Sequence, residues 1–319
     1  MHRDLTSSLL QRQLLTLDAT DHRTLAQATV AIAGLGGIGC PAMEVLARNA
    51  VGAFVLADID CFDATNARQL YMTQATIGLP KVAVSCERLL AINPRASVRT
   101  FSDGITPANY AAVCLGADVI CNQVDQLAAI MILHYAGARF RIPVVSASRT
   151  CWPERHFLGV KIYDYRDPDM QYDMRGIAIE QRWGVEPKLV EALMDYVTRE
   201  QDCPELVAEI NAQNTQFRAV RMLEAIQRQE TEGISDKSPA YLHGVAHAHP
   251  EVFHKMAIAP EEALVMGCLA GTAVKDILLG RETGHFEVNL YHGTARIHDR
   301  TEAMAYHDMA CSAVKAVPA

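Results

Sequence analysis

The chain has 319 residues, half of them hydrophobic, with 29 Lys and Arg against 37 Asp and Glu. That length and apolar content suit one large α/β domain carrying an insertion, and a net charge of −8 argues against a protein whose main work is coating nucleic acid or an anionic membrane. No run of about 18 apolar residues marks a membrane span, and the opening MHRDLTSSLLQRQ lacks a secretory apolar stretch, so a cytoplasmic protein is expected.

From residue 29 short apolar strands alternate with helical patterns. TVAIAG (29–34) reads as a buried strand and IGCPAMEVLARNA (38–50) as an amphipathic helix. AFVLAD (53–58) is the second strand, and a helix runs from Lys81 to Ile92, ending at Asn93-Pro94. SVRTF (97–101), ADVICN (117–122) and IPVVSAS (142–148) continue the strands, with helices around 107–114 and 125–139 between them. HFLGVKIYD (156–164) is a further strand. Such alternation predicts a Rossmann-like, doubly wound and mostly parallel sheet.

After Tyr165 the texture changes to helices, one behind Pro187 and one from Pro204, so 166–258 reads as a mostly helical insertion. The helix PEEALVMGCLAGTAVKDILLG then resumes the fold at Pro260, with Gly280 as its cap. Its Gly267, Ala270, Gly271 and Ala273 are small enough to let another backbone approach closely. HFEVNL (285–290) and TARIH (294–298) predict a closing hairpin around Tyr291-His292-Gly293. The expected division is therefore 1–165 plus 259–300 as the Rossmann-like domain, 166–258 as the insertion, and 301–319 as a tail.

GLGGIG (34–39) follows a strand and opens a helix. Gly34, Gly36, Gly37 and Gly39 permit a tight turn whose N–H groups meet phosphate oxygens at the positive end of the helix. Asp58, at the end of the next strand, is placed to accept hydrogen bonds from a ribose. NAD and ATP fit these two features equally well.

The next stretch separates them. Asp58-Ile-Asp60, Asn66-Ala-Arg68-Gln69 and Ile77-Gly78-Leu-Pro-Lys81 together resemble the nucleotide-binding signature of the ThiF/MoeB/HesA adenylyltransferases, the prokaryotic relatives of ubiquitin-activating enzymes. Leu10-Gln11-Arg12-Gln13 resembles the family's N-terminal Arg-Gln element, and the segment Val119 to Asp125 lies where relatives carry a metal-binding aspartate. The resemblance covers 9–163 and returns at 258–298. It departs in three places: the family's Asn-x-x-Arg-Gln is one residue shorter here, Asn122 stands where many relatives are acidic, and the two Cys-x-x-Cys pairs of the sulfur-carrier enzymes are missing.

What the resemblance implies is adenylation of a carboxylate by ATP with release of pyrophosphate. Lys81, Arg68 and Asn66 would lie along the triphosphate, Asp58 at the ribose, Asp60 and Gln69 beside the nucleotide, and Asp125 on Mg²⁺. Arg12 would reach the partner subunit's site in a homodimer. The nine cysteines include no Cys-x-x-Cys pair, so the structural zinc of the sulfur-carrier enzymes is not expected. That absence and the insertion together suggest a small protein or ribosomally made peptide as substrate. General nucleic-acid binding is not expected, while a tRNA substrate is compatible.

Taken residue by residue, plainer roles stand beside these. Lys81 reads as a solvated lysine, Asn66 and Asp60 as turn caps, Asp125 as the N-cap of the helix DQLAAIMILHY, and Arg12 as part of an unstructured segment. Cys203 and Cys151 are the candidate acyl acceptors, against a plain reading as inert thiols. His243, His247, His249 and His254 are expected in an ordered loop over the site rather than on a metal. An NAD-dependent oxidoreductase and a non-catalytic partner subunit are the alternative functions.

Overall fold

The computed structural model of the chain describes residues 10–13, 16–152, 155–168, 183–228, 238–248, 260–281, 285–289 and 294–298. The strands are β1 (Thr29–Ala33), β2 (Ala53–Ala57), β3 (Ser97–Phe101), β4 (Val119–Asn122), β5 (Val144–Trp152), β6 (Arg155–Tyr163), β7 (His285–Asn289) and β8 (Thr294–His298). They join in one sheet in the spatial order β3, β2, β1, β4, β5, β6, β7, β8. β3 through β5 in that order are parallel, whereas β6, β7 and β8 add antiparallel. The chain winds outward from β1 to β3 and then returns to place β4 on β1's other side. This reversal leaves a crevice at the carboxyl ends of β1 and β4, where doubly wound sheets bind ligands.

The central strands are continuous apolar runs because both of their faces are covered. In β1, Val30 and Ile32 enter one core, while Ala31 and Ala33 enter the other. In β2, Phe54 and Leu56 are divided from Val55 and Ala57 in the same way. Burying each large side chain contributes roughly 1.5–3 kcal/mol.

The first face is covered by α1 (Ala19–Gln27), α2 (Gly39–Arg48), α3 (Lys81–Ile92) and α9 (Pro260–Leu278). The second carries α4 (Tyr110–Cys114), α5 (Leu127–Phe140), α6 (Pro187–Arg199) and α7 (Pro204–Gln227). Val190, Leu193, Val197 and Ile210 of α6 and α7 share a core with Leu127, Met131 and Tyr110, so these helices of the 166–258 segment build directly on the sheet's helical layer. α8 (Pro239–Ala248) adds Leu242 to a small cluster with Ala219 and Ile226 of α7.

The small residues of α9 do what their size predicts. A Cβ on Gly267 would lie 2.3 Å from the Ile38 carbonyl, and one on Gly271 2.9 Å from that of Ala42, so glycine is what lets α9 lie against α2. Gly280 takes φ +65° just past the end of α9.

Two helices are additions to the sequence reading. α1 is started by Asp18, whose side chain accepts from the Thr20 and Asp21 N–H groups while Asp21 answers in a capping box. α8 replaces the expected loop over the site: Leu242 and Val245, three residues apart, turn one face toward α7 and make the segment helical. His243 and His247 are exposed on α8, while His249 and His254 lie outside the described residues. So do the tail 301–319 and the 291–293 turn. Among the described residues no helix is long and apolar enough to cross a membrane.

Candidate functional site

The crevice begins at the glycine loop. Gly34 has φ +88°, and a Cβ there would sit 2.5 Å from the Gln123 carbonyl, so the turns after β1 and β4 touch backbone to backbone. A Cβ on Gly39 would strike the Gly34 carbonyl at 1.8 Å. A Cβ on Gly37 would come within 3.1 Å of Ala263, which places the first turn of α9 against the loop. At Gly36 the nearest atom is Gln69 Nε2, 3.7 Å from such a Cβ, so that side chain lies beside the loop.

Asp58 fastens the loop to β2. Its carboxylate accepts the Leu35 N–H at 2.5 Å and the Asp60 N–H at 2.8 Å. Burial pushes its pKa above the ordinary carboxylate value, and the two N–H donors and nearby Lys81 offset part of that rise. Each of its oxygens accepts one of these N–H groups and keeps a lone pair for a further donor.

The excursion after β2 returns through a bridge between Cys61 and Pro80. Lys81 lies at its end, the first residue of α3. Only 5% of Lys81 is exposed, and its Nζ meets Asp60 Oδ2 at 2.8 Å. The reading of Lys81 as a solvated lysine is thus corrected: the chain pulls the ammonium inward because Asp60 and the 61–80 fold fix where α3 starts. Asp60 is an ion-pair partner rather than a turn cap.

Asn66 does take the cap role. It ends a short 3₁₀ turn, Ala64–Asn66, where its Oδ1 accepts the Asp63 N–H at 3.3 Å while Asp63 accepts from Thr65. Arg68 is half-buried. Its Nε, together with Gln69 Oε1, Asn122 Oδ1 and Gln123 Oε1, is a buried polar atom without a hydrogen-bond partner in the structure. Such atoms are costly unless a ligand or water meets them.

Asp125 is exposed in the turn between β4 and α5. It is not the N-cap, since Gln126 holds that position and makes no side-chain cap bond of its own. Asp125 fits a Mg²⁺ ligand in kind, because Mg²⁺ commonly binds through one or two carboxylates and substrate phosphates. Arg12 is exposed in the 3₁₀ turn Gln11–Gln13, whose Gln13 bonds the Arg48 carbonyl at the far end of α2 from the glycine loop. Gly34, Gly36, Gly37, Gly39, Asp58, Asp60, Gln69 and Lys81 are thus gathered around one loop, and Arg12 is kept away from it within its own chain.

Cys203 does not join this site. Cys203 is 6% exposed, and its thiol is pushed up by burial and by the acidic neighbours Asp202 and Glu205, the reverse of an activating environment. Cys151 lies on β5, opposite His156 on β6. The sequence reading passed over the Gln123 amide, although its segment was singled out. It also missed Asn211 of α7, for which no local signal exists.

Comparison with known proteins gives a consistent picture. Residues 10–153 match the model of the ThiF family. The chain is 35% identical over 124 residues to the tRNA threonylcarbamoyladenosine dehydratase of Escherichia coli K12, covering 38% of this chain and 46% of the relative. It is 34% identical over 140 residues to that organism's sulfur carrier protein ThiS adenylyltransferase, covering 43% and 56%. The chain thus spans about half the length of the curated relatives it matches. A crystal structure of PaaA superposes with a TM-score of 0.59 at 16% identity, covering 93% of this chain and 74% of PaaA, a likeness of fold. The matched segment runs from the Arg12 turn through the glycine loop and the Asp58–Lys81 stretch to β5. Residues 10–153 of this chain carry the match to the ThiF family, and residues 154–319 lie outside it.

Proposed function

We propose that the chain uses this crevice to adenylate a carboxylate with ATP. An acceptor carboxylate oxygen attacks the α-phosphorus, the bond to the bridging oxygen breaks, and acyl-adenylate and pyrophosphate form. The growing negative charge on pyrophosphate calls for fixed positive charge and N–H donors along the phosphates. Lys81 and Arg68 supply the cations and the glycine loop the N–H groups, with Asn66 alongside. Asp58 accepts from the ribose, and Gln69 lines the loop beside Gly36. Asp125 holds Mg²⁺, which when bound neutralises phosphate charge. Arg12 reaches the partner subunit's site in a homodimer.

The observation that carries this reading is Lys81, buried on Asp60 next to the Asp58 that fastens the glycine loop, together with the partnerless buried polar atoms of Arg68, Gln69, Asn122 and Gln123. A hydride-transfer site has no comparable use for that cation. The acceptor is a small protein or ribosomally made peptide, recognised by the 166–258 insertion. The position of α7 beside the β4–α5 turn, and the exposed Val220, Leu223 and Tyr241 on α7 and α8, support this assignment.

The likeness to a tRNA-acting relative favours a second reading, in which the carboxylate is carried on tRNA. The test is substrate-dependent exchange of labelled pyrophosphate into ATP, with peptides encoded beside the gene and bulk tRNA as separate arms. Exchange with a peptide, lost in Lys81→Ala and Asp125→Ala, supports the first reading, and exchange with tRNA alone supports the second. Tight NAD binding that is indifferent to Lys81→Ala would replace both with an oxidoreductase, and ATP binding without exchange in any arm would point to a non-catalytic subunit.

A further inference from the structure

The turn that carries Asp125 is anchored at two ends of very different origin. At its start, Asn122 is the last residue of β4 and is held in register with Ala33 and Ser146. At its end, α5 begins without a side-chain cap from its own N-cap residue, Gln126. The first N–H groups of a helix have no intrahelical acceptor and need one from elsewhere. Asn211 of α7 provides it: its Oδ1 accepts the Ala128 N–H at 3.1 Å, and its Nδ2 donates to Gln126 Oε1 at 3.3 Å. One side chain from 83 residues downstream thus grips both sides of the residue that follows the turn.

Asn211 is itself well placed for this. The preceding Ile210 is fully buried in the core that includes Leu127 and Ala128, and Asn214, one turn later, donates to the Trp183 carbonyl at 2.7 Å. The α7 backbone is therefore fixed on both sides of Asn211. Asp125 has no such fixing through its own carboxylate, which is exposed. Its direction is set by the backbone on either side of it.

We propose that Asn211 is a positioning residue for Asp125, so that the insertion helix α7 completes the geometry of the metal-binding turn. The inference rests on the adenylation reading above. It makes the docking of α7 a condition for productive Mg²⁺–ATP binding.

The test measures ATP binding by calorimetry on the full chain, with Mg²⁺ and then with EDTA, alongside thermal stability and hydrogen exchange of the Ala128 amide. Wild type is expected to bind ATP more tightly with Mg²⁺. Asn211→Ala is expected to lose roughly tenfold in affinity with Mg²⁺, to keep its affinity in EDTA, and to exchange Ala128 faster. Asn211→Asp retains the Oδ1 acceptor, and its charge suits a helix N-terminus, so it should keep the Mg²⁺ increment. Asn93→Ala, which loses a buried bond to the Val51 carbonyl and touches neither α7 nor the turn, should lower Tm without changing the increment. An Asn211→Ala chain that loses only stability, as Asn93→Ala does, overturns this inference alone. A wild-type chain that binds no ATP overturns the adenylation reading and this inference together.

Discussion

Lys81 and Asp60 are joined twice: the Lys81 N–H donates to the Asp60 carbonyl at 2.9 Å, and the Lys81 ammonium meets the Asp60 carboxylate at 2.8 Å. The 61–80 excursion is pinched shut at that point, and the cation is set beside the glycine loop rather than in solvent. The pair is unequal, since the Lys81 side chain is 6% exposed and that of Asp60 60%. Desolvation therefore falls on the lysine.

That inequality gives opposite expectations for stability and activity. Lys81→Met removes a buried charge and keeps an aliphatic chain, so thermal stability should change by no more than about 1 kcal/mol. Pyrophosphate exchange should fall by roughly 10²-fold to 10³-fold, the scale of losing one fixed group that meets developing charge. Asp60→Asn leaves the ammonium buried with less compensation and should lower Tm, with saturating ATP restoring part of the loss. Differential scanning calorimetry with and without ATP checks both. A Lys81→Met protein that is unstable yet fully active would reverse the assignment.

The glycine loop separates crowding from contact with ligand. Gly39→Ala places a methyl group 1.8 Å from the Gly34 carbonyl, so backbone must move and about 3 kcal/mol of stability should be lost. Gly36→Ala meets nothing nearer than 3.7 Å, and its stability should stay within about 0.5 kcal/mol of wild type. On the proposed adenylation reading its methyl group nevertheless intrudes where phosphate comes close, so ATP affinity should fall. Chemical denaturation paired with ATP titration distinguishes the two variants.

Glu44 predicts an acid limb in the stability curve. Burial, its largest single influence, would raise its pKa, but hydrogen bonds from Arg88, Tyr71 and Arg48 outweigh it and bring the carboxyl down to about 2. Those partners lie 2.8, 2.5 and 2.5 Å away and tie α2 to α3 and to the loop before it. Because the folded pKa lies below the unfolded one, the contribution is present in full above about pH 4.5 and disappears as pH falls through about 2. Glu44→Gln should cost about 1 kcal/mol at neutral pH, the two arginines being half exposed, and should flatten that limb. Urea unfolding at stepped pH provides the comparison.

Cys203 should prove dispensable for the chemistry. Its thiol is buried and held protonated between Asp202 and Glu205, so a Cys203→Ser chain should retain pyrophosphate exchange and transfer to acceptor. Iodoacetamide should modify the exposed Cys61 well before Cys203. Rapid labelling of Cys203 in the folded chain, with loss of acceptor transfer, would restore it as a nucleophile.

Much of this molecule was legible in its residues because the signals are local. Apolar runs of strand length, Pro at helix starts and the spacing of GLGGIG before Asp58 are short-range consequences of backbone geometry, and they located the sheet, the crevice and the family likeness. Gly34 and Gly39 could be named in advance because the strand-turn-helix junction leaves no room for a Cβ at those two positions. Tertiary structure decided what happens to groups that are chemically ordinary in sequence. Lys81 reads as a solvated lysine until the 61–80 excursion closes and buries it against Asp60, and Asp125 reads as a helix cap until Gln126 and Asn211 take that place. An ion pair 21 residues apart, or a cap supplied from 83 residues away, leaves no periodicity in the chain. Such pairings arise only when packing brings separated segments together and requires their buried charges and N–H groups to be satisfied.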